Sequence, residues 1–397
     1  MMDYASRAKE LEEYITSQRH FLHRHAELSY KEIETTKHIS DELRSFGIEV
    51  ITFPDYTGCI GIIRGGIPGR TVLLRADIDA LPITENSGVE FESINDGVMH
   101  ACGHDCHAAM LLGAARMLQE NRDSLKGTVK LLFQAAEEAF YGVRYYWEKG
   151  YLNDVSAAMG MHVWPTVRSG YLAVQDGNLM ASCDNFRLTV HGRSAHGARP
   201  HEGCDAIVAA SSIILGIQTI VSRKTSPLEP LVITVGSVRS GTQFNIISDT
   251  AVLEGTVRTY DPKLRAEVEQ EIRNVMNNAA AVSGCTAELS YDYIEPSVCN
   301  RDIELNEIAR GSAVKLFGED ILRPTPRSMG SEDFSFLMEK IPSSLFVFLG
   351  CYDDESGCVY PVHNEKFRIN EEILPVGSAE YAQFAEDYLN RFGGGAQ

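Results

Sequence analysis

The sequence has little positive charge for its size. Its 397 residues include 36 Lys and Arg against 55 Asp and Glu, which gives a formal net charge of −19. No cluster of Lys or Arg interrupts this acidic balance. Because nucleic acids and anionic membrane surfaces attract cationic proteins, we predict neither a nucleic-acid partner nor a membrane partner.

Long apolar runs and a disulfide pattern are also missing. No window approaches 18 uncharged apolar residues, so the sequence predicts no membrane-spanning segment. The first residues, MMDYASRAKELEEY, lack the apolar core of a signal peptide. The nine cysteines are odd in number and scattered, which favours reduced thiols. Together these features predict a cytoplasmic protein.

The sequence contains no internal repeat and no low-complexity segment, and its composition is that of an ordinary globular protein. A chain of 397 residues exceeds the size at which one hydrophobic core stops growing, so two domains are expected. The terminal GGGAQ is expected to fray.

Strand and helix patterns alternate in the first part of the chain. Strands are predicted at GCIGIIRGG, RTVLLRADI, GTVKLLFQA and SAAMGMHVW, with amphipathic helices between and before them. One helix is expected to begin at Thr35 and end at Gly47, and the turn GGIPG is expected to join the first two strands. This alternation is typical of an α/β sheet covered on both faces.

The pattern changes near residue 180. Residues 181–293 follow the order β-α-β-β-α-β, which is the ferredoxin-like arrangement. The α/β pattern then returns. The sequence therefore predicts one α/β domain formed by residues 1–180 and 294–397, interrupted by an inserted domain of residues 181–293.

Potential metal ligands are concentrated in MHACGHDCHAAM, residues 99–110. A closed zinc site would need a second ligand pair nearby, whereas His191, His196 and His201 lie in the other predicted domain. A thiol redox site would favour C-x-x-C, which this motif lacks. A helix start without metal is the simplest alternative. We favour a metal site, because Cys102, His104 and His107 together stand directly before a predicted helix, whose N-terminus can promote the thiolate.

Two adjacent glutamates follow a buried strand in LLFQAAEEA. Alone, Glu137 and Glu138 would be interpreted as a solvent-facing loop. In α/β folds, however, ligands bind at the carboxyl ends of strands, and neighbours on an extended segment point to opposite sides. One carboxylate can then bind metal while the other faces the reacting water, as a metal-assisted hydrolase requires.

Two histidines complete this pattern. His162 ends the apolar strand SAAMGMH, and His363 lies in a loop within VYPVHNEKF. Either one alone would be an ordinary core or loop residue. Because all these residues lie at or beside strand–loop junctions, we expect them to converge on one edge of the sheet.

The predicted inserted domain has its own candidates. His196 lies in the glycine-rich VHGRSAHGARPHEG, and Asn245 and Arg258 lie on predicted strands. An exposed strand arginine is usually a solvated surface residue. A functional arginine here would bind a carboxylate in bidentate fashion.

Taken in order, these motifs resemble the aminoacylase, hippurate hydrolase and auxin-conjugate amidohydrolase group of two-metal peptidases. The resemblance covers about residues 10–392. It is carried by LRADIDALPI, MHACGHDCHAAMLLGAA, LLFQAAEE, GMHVWP, GRSAHGARPHEGCDAI, EGTVRTY, MGSEDFSF and PVHNEKF. It implies a metallopeptidase-type mixed sheet with an inserted lid and dimerisation domain.

The resemblance also implies a role for each site residue. Two divalent ions per subunit, of Mn, Zn, Co or Ni, would be held by Cys102, His104, Glu138, His162 and His363. Glu137 would be the general base, and His196 would reach the oxyanion from a partner subunit. The substrate would be bound by Asn245, Arg258 and Gly330. Asp77 would support the metal site, where His104 compensates for a histidine that is Arg75 here, and Asp105 is expected to orient a neighbouring ligand.

These residues imply a metal-dependent hydrolase of C–N amide bonds that cleaves N-acyl amino acids, working as a homodimer or higher homo-oligomer through its inserted domain. A metallo-carboxypeptidase or dipeptidase and an N-acetyl-diaminopimelate-type deacetylase remain alternatives. A metal-storage protein or a thiol oxidoreductase would not account for the glutamate pair. Phe140, Tyr141, Tyr145 and Tyr146 replace a run of Gly and Ala usual in the family, so the acyl preference stays open.

Overall fold

The computed structural model describes residues 2–393. Most of the terminal GGGAQ, residues 394–397, therefore lies outside the described residues. The chain forms two compact units. Unit 1 comprises the chain up to Gly177, Cys299–Pro326 and the chain from Asp333 onward, and unit 2 comprises Asn178–Val298 and Arg327–Glu332. Unit 2 thus contains the whole of the predicted insert, residues 181–293, and extends beyond it at both ends.

The helices of the described chain are α1 (Tyr4–Glu10), α2 (Glu12–Arg24), α3 (Ile33–Ser45), α4 (His104–Glu120), α5 (Gly142–Glu148), α6 (Ala206–Thr219), α7 (Pro262–Val282), α8 (Ile303–Phe317), α9 (Phe334–Lys340) and α10 (Leu374–Phe392). The strands are β1 (Glu49–Thr52), β2 (Cys59–Arg64), β3 (Ile67–Asp77), β4 (Lys126–Gln134), β5 (Val155–Arg168), β6 (Leu172–Ala173), β7 (Gly177–Met180), β8 (Cys183–His191), β9 (Ala195–His196), β10 (Leu231–Ser240), β11 (Ile246–Ile247), β12 (Thr250–Thr259), β13 (Thr286–Glu295), β14 (Val298–Asn300) and β15 (Ser344–Tyr352).

Unit 1 is built on a seven-stranded sheet with the order β1-β2-β4-β3-β5-β15-β6. The four central strands, β4, β3, β5 and β15, are parallel, and the outer strands join them in antiparallel pairs. Helices α4 and α10 pack on each other and on β3, and α1, α2 and α8 pack around that pair. This mixed sheet confirms the predicted α/β class.

Two local predictions for unit 1 differ from the structure in their bounds. The turn that joins β2 to β3 is shorter than GGIPG, because β3 already begins at Ile67. In the sheet, β4 lies between these two strands. Helix α3 begins at Ile33, ahead of the predicted Thr35. The side chain of Glu27 accepts hydrogen bonds from the N–H groups of Glu34 and Thr35, so the first turn is capped from an earlier part of the chain.

Unit 2 is a four-stranded antiparallel sheet with the order β10-β12-β8-β13. Helices α6 and α7 pack on each other and on this sheet. The residues between sheet and helices form one apolar core, which includes Leu188, Val190, Ile213, Leu253 and Ile272.

Helix α6 corrects the prediction that no segment is apolar enough to cross a membrane. The helical segment Ala206–Lys224 consists of α6 and the π-helical turn that follows it. By length and composition it is apolar enough to cross a membrane, with a mean hydropathy of 1.6 over its best window. One such helix is weak evidence for a membrane span. Its inner side, with Ile213 and Ile217, belongs to the core of unit 2, while Leu215 is 72% exposed.

A buried carboxylate ties the sheet of unit 2 to α7. Asp184 at the start of β8 is fully buried and accepts hydrogen bonds from Arg265 at 2.6 Å and from the Tyr291 hydroxyl at 3.1 Å. It also accepts the backbone N–H of Ile294 at 3.3 Å. One side chain therefore joins β8, α7 and β13.

Replacing Asp184 by Ala should destabilise the protein by about 3–5 kcal/mol, because the mostly buried Arg265 would lose its counter-charge. Urea unfolding followed by circular dichroism measures this loss. Arg187→Ala is the matched control, since the Arg187–Glu254 pair is exposed and should be worth no more than about 1 kcal/mol. Equal effects of the two substitutions would contradict the prediction.

Candidate metal centre

The carboxyl ends of the central strands bring the predicted ligands together. Asp77 and Gln134, the last residues of β3 and β4, are paired in register. His162 does not end its strand as predicted, since β5 continues to Arg168 along β15. It lies just beyond the last β3–β5 pair, so it reaches the same sheet edge from inside a strand.

Cys102 and His162 are in direct contact. The Cys102 Sγ lies 3.3 Å from the His162 Nε2, and with His104 these side chains form a group whose ligand atoms lie within 4.8 Å of one another. Gly103 makes this possible: its φ is +88°, and a side chain there would collide with Val163 at 2.4 Å. The glycine therefore lets Cys102 and the first residue of α4 approach β5.

Hydrogen bonds fix which nitrogen of each histidine is free. The His104 Nδ1 donates to the Asp79 carbonyl oxygen at 2.9 Å, and its buried Nε2 has no hydrogen-bond partner. The His162 Nδ1 lies 2.6 Å from the Val163 carbonyl oxygen, which only accepts. In both residues the Nδ1 is engaged by a carbonyl oxygen, so the Nε2 is the nitrogen available to a metal, which is the arrangement of a metal-ligating histidine.

His107 is arranged differently. Its Nδ1 lies 2.5 Å from Asp77, and its Nε2 accepts the backbone N–H of Val163 at 2.9 Å. Since both ring nitrogens are engaged, His107 positions Asp77 and β5 rather than offering a ligand.

The glutamate pair differs from the prediction in its backbone. Glu137 and Glu138 belong to a short 3-10 turn instead of an extended segment, so they do not point to opposite sides. Each places a carboxylate oxygen 4.0 Å from the His104 Nε2. The turn is bounded by Ala136 and Phe140, both left-handed, with φ of +58° and +69°.

His363 approaches from a distant loop. Its backbone N–H donates to the Ala101 carbonyl oxygen at 2.7 Å, and its φ is +64°. The half-exposed ring places its Nε2 3.3 Å from a carboxylate oxygen of Glu138. Cys102, Glu138 and His363 form a second group of ligand atoms within 4.8 Å, which shares Cys102 with the first.

The donor set fits divalent cations. Burial and the carboxylates of Glu138 and Glu137 raise the pKa of Cys102 well above its usual range. Burial alone would lower the pKa of His104, but Asp77 and Asp79 raise it to about 10. The buried His104 Nε2 lacks a hydrogen-bond partner. Negative charge and the ligand atoms of several side chains therefore converge on a site built of nitrogen, sulfur and carboxylate oxygen.

Arg75 compensates part of this negative charge. Its fully buried guanidinium donates to Asp77 at 2.6 Å, to Gln134 at 2.8 Å and to Asp333 at 3.0 Å. Despite burial, Arg75 and His104 hold the pKa of Asp77 well below its usual range. Asp77 is thus an ionised, fixed neighbour of His104, at 3.8 Å from its Nε2.

Sequence reasoning missed Asp79. Besides orienting His104, this buried aspartate accepts the backbone N–H of Glu138 at 3.0 Å and the Ser29 hydroxyl at 2.7 Å. Asp79 therefore holds two predicted ligands in place: it binds the ring of His104 and the backbone N–H of Glu138. The available signal was the second aspartate of RADID, two residues after Asp77.

Asp105 does not have the expected contacts. Its carboxylate accepts from Arg19 at 3.0 Å and pairs with His23 at 2.9 Å, and none of its described contacts reaches a predicted ligand. Because it lies one residue after His104 on α4, its side chain points to α2 instead. Asp105 anchors the N-terminal helices to the helix that carries His104.

Four predicted residues belong to unit 2. His196 is exposed on β9, and the N–H of the next residue donates to the carbonyl oxygen of Asn245 at 2.7 Å. Arg258 donates to the Ser331 hydroxyl at 3.0 Å, next to Gly330. The structure therefore groups His196 with Asn245, and Arg258 with Gly330. Their roles stay predictions.

Residues 73–387 match peptidase family M20/M25/M40. The chain belongs to this family. It is therefore a metal-dependent hydrolase of amide bonds, and its likeness to the aminoacylase group is confirmed.

Individual members show how closely the chain follows the family. It is 41% identical to an N-acetyl-L-cysteine deacetylase of Bacillus subtilis, over 92% of this chain and 85% of that protein. It is 37% identical to thermostable carboxypeptidase 1 of Saccharolobus solfataricus, over 96% and 97% of the two chains. The crystal structure of the Bacillus subtilis YXEP protein, described as a dinuclear metal-binding M20 peptidase, superposes with a TM-score of 0.86 at 38% identity, covering 96% and 99%.

The network around Asp105 makes stability depend on pH. Burial lowers the pKa of His23, but Asp105 and Glu85 outweigh it and raise that pKa to about 9. Folding thus favours the charged form of His23, so its contribution to the stability of the protein is complete below about pH 6.5 and is lost as pH rises through 9.

We expect His23→Gln to lower Tm more at pH 6 than at pH 10. His201→Gln, at an exposed histidine, is the control, and a difference independent of pH would contradict the assignment.

Proposed function

We propose that this enzyme hydrolyses the amide bond of N-acyl amino acids and releases a carboxylic acid and a free amino acid. The observation that carries the proposal is the pair of ligand groups sharing Cys102, with the carboxylate of Glu137 beside them. The deacetylase named above, which acts on an N-acetylated amino acid, supports the substrate class.

The metal centre is proposed to hold two divalent ions. Their ligands would be Cys102, His104, Glu138, His162 and His363. When bound, such ions lower the pKa of water and polarise the substrate carbonyl. The YXEP protein, a dinuclear relative, supports the number of ions. A ligand set of Cys, His and Glu side chains can bind Zn, Mn, Co or Ni.

Glu137 is proposed as the general base and acid. One of its carboxylate oxygens accepts the backbone N–H of Asp333 at 3.4 Å, and the other lies 4.0 Å from the His104 Nε2. Held in this way, the carboxylate can take a proton from water and deliver it to the leaving nitrogen.

Unit 2 is proposed to act as a ferredoxin-like lid and dimerisation domain, which its strand order β10-β12-β8-β13 supports. His196 would stabilise the oxyanion in the site of a partner subunit. Arg258 and Gly330 would bind the substrate carboxylate, and Asn245 would assist. The nine free cysteines support a reducing, cytoplasmic location.

The exposed apolar side of unit 2 supports a dimer. Leu215 and Val208 on α6 are 72% and 53% exposed, and Val238 on the edge strand β10 is 51% exposed. Apolar helix faces and open strand edges are the surfaces that homo-oligomers cover.

A carboxypeptidase or dipeptidase activity is the second candidate, favoured by the carboxypeptidase relative. Both reactions need the same metal centre and a carboxylate-binding arginine. They differ in the group on the far side of the scissile bond, which is an acyl chain in one case and an amino acid in the other.

Metal-reconstituted protein should hydrolyse acetyl- and benzoyl-amino acids faster than dipeptides. Chelation should abolish turnover, and added Mn²⁺, Zn²⁺ or Co²⁺ should restore it. Glu137→Gln should lower kcat by about 10²–10⁴-fold without loss of bound metal, because only the proton transfer is removed. Elemental analysis provides the control. Faster cleavage of dipeptides would favour the second candidate, and turnover insensitive to chelator and to Glu137→Gln would refute both.

If His196 acts in trans, two inactive variants should complement each other. A mixed dimer of His196→Ala and Glu137→Gln subunits contains one site with both wild-type residues, so co-expression should restore part of the activity. Sedimentation measures the assembly, and Glu137→Gln co-expressed with itself is the control. No recovery in demonstrated mixed dimers would place His196 in its own subunit's site, and full activity of His196→Ala alone would place it outside the reaction.

A further inference from the structure

The turn that carries the glutamate pair is held in a strained backbone. Ala136 before it and Phe140 after it are left-handed residues without being glycine. Each such residue costs about 1–2 kcal/mol, and it persists only where its surroundings over-determine it. The positions of Glu137 and Glu138 therefore depend on whatever fixes this backbone.

Two buried side chains fix it. The N–H of Ala135 donates to the Tyr146 hydroxyl at 3.0 Å, and the N–H of Ala136 donates to a carboxylate oxygen of Glu32 at 2.8 Å. Both Tyr146 and Glu32 are fully buried. Two consecutive amides directly before Glu137 are thus bound by side chains from α5 and from the start of α3.

Thr57 joins the two side chains. Its hydroxyl donates to the second carboxylate oxygen of Glu32 at 2.6 Å, and its carbonyl oxygen accepts the Tyr146 hydroxyl at 3.0 Å. We call Glu32, Thr57 and Tyr146 the clamp. The direction of each of these hydrogen bonds is fixed, because backbone N–H groups only donate and carbonyl and carboxylate oxygens only accept. The Thr57 hydroxyl is the group of the clamp that can rotate to a different partner.

Close packing leaves the clamp no room to shift. At Gly58, a side chain would lie 2.2 Å from the Tyr146 hydroxyl and 2.6 Å from the Phe133 carbonyl oxygen. At Gly142, the first residue of α5, it would lie 2.0 Å from the Ala135 carbonyl oxygen. Glycine at both positions lets the loop around Gly58 and the start of α5 pack against Ala135 and Ala136, directly before the turn.

We propose that Glu32 and Tyr146 are positioning residues of the reaction, which hold the Ala135 and Ala136 amides so that Glu137 and Glu138 face the metal ligands. This inference rests on the function proposed above. Neither residue touches the reacting atoms, so their effect passes entirely through the backbone of the turn.

The chemistry of the clamp suggests paired substitutions. Glu32→Gln keeps both hydrogen bonds, because its amide oxygen accepts from Ala136 and its amide nitrogen donates to a rotated Thr57 hydroxyl. Glu32→Ala loses both. Tyr146→Phe keeps the ring and removes only the hydroxyl that joins Ala135 to Thr57.

Hydrogen exchange of the metal-free protein, followed by mass spectrometry of peptides covering residues 134–141, tests the backbone directly. Glu32→Ala and Tyr146→Phe should lose protection there, and Glu32→Gln should keep it. In the metal-loaded enzyme, the first two should lower kcat by about 10–100-fold with KM and metal content near the wild type, because a small misplacement of a catalytic group is that costly. Glu32→Gln should restore kcat.

Two controls separate positioning from stability. Tyr4→Phe removes a buried hydroxyl that accepts from Asn121 at 2.9 Å, and Glu27→Ala removes the cap on Thr35 of the same helix that Glu32 precedes. Both should lower Tm while leaving kcat and the exchange of residues 134–141 unchanged.

The outcomes are distinct for the two proposals. If Tyr146→Phe and Glu32→Ala lower Tm but keep kcat and protection, the clamp is only structural and the inference is wrong. Tyr146→Phe decides this alone if Glu32→Ala does not fold. If the wild type hydrolyses no amide while the exchange results are as expected, the proposed function fails and the clamp on the turn stands.

Discussion

The site depends on a surplus of buried negative charge at one edge of the central sheet. Asp77, Asp79, Glu137 and Glu138 come together there, and burial makes their mutual repulsion expensive. Arg75 compensates Asp77 and Asp333, which lie on its own side of the cluster. The carboxylates of Glu137 and Glu138, nearer Cys102, lie 4.0 Å from the His104 Nε2. The divalent ions proposed for this centre would relieve that repulsion, and the Cys102 Sγ and ring nitrogens of His104 and His162 lie within 4.8 Å of one another there.

Part of this site follows from the sequence because Cys102 and His104 lie at the start of α4 and Glu138 follows the end of β4, whereas His162 lies inside β5 and His363 in a distant loop. Periodicity locates those boundaries, and parallel strands bring their carboxyl ends to one edge. The supporting layer does not follow. Asp79 is recognisable only once His104 is seen to donate to it, and Glu32 binds Ala136 across 104 residues of chain. A single sequence gives no signal for a hydrogen bond between such distant positions.

The order of strands in the sheet is another long-range feature. Hydrophobic patterns identified the strands of unit 1, yet the place of β4 between β2 and β3 depends on which edges pair. The start of α3 is decided locally: Glu27, eight residues before Thr35, caps the first turn in place of the predicted threonine signal. Helix α6 is a different case: its composition is apolar on all sides, and only the structure separates its core side from its exposed side.

The four aromatic residues that replace a Gly and Ala run differ in their contacts. Tyr146 is fully buried, and its hydroxyl accepts the N–H of Ala135 directly before the turn, whereas Tyr145 stacks on Tyr56 at 4.0 Å. Phe140 and Tyr141 are 37% and 42% exposed and follow Glu137 and Glu138 after one intervening residue, Ala139. The departure from the family pattern therefore does not act on the substrate as one block. Phe140 and Tyr141 leave part of their rings exposed, while the hydroxyl of Tyr146 binds the backbone that leads into Glu137.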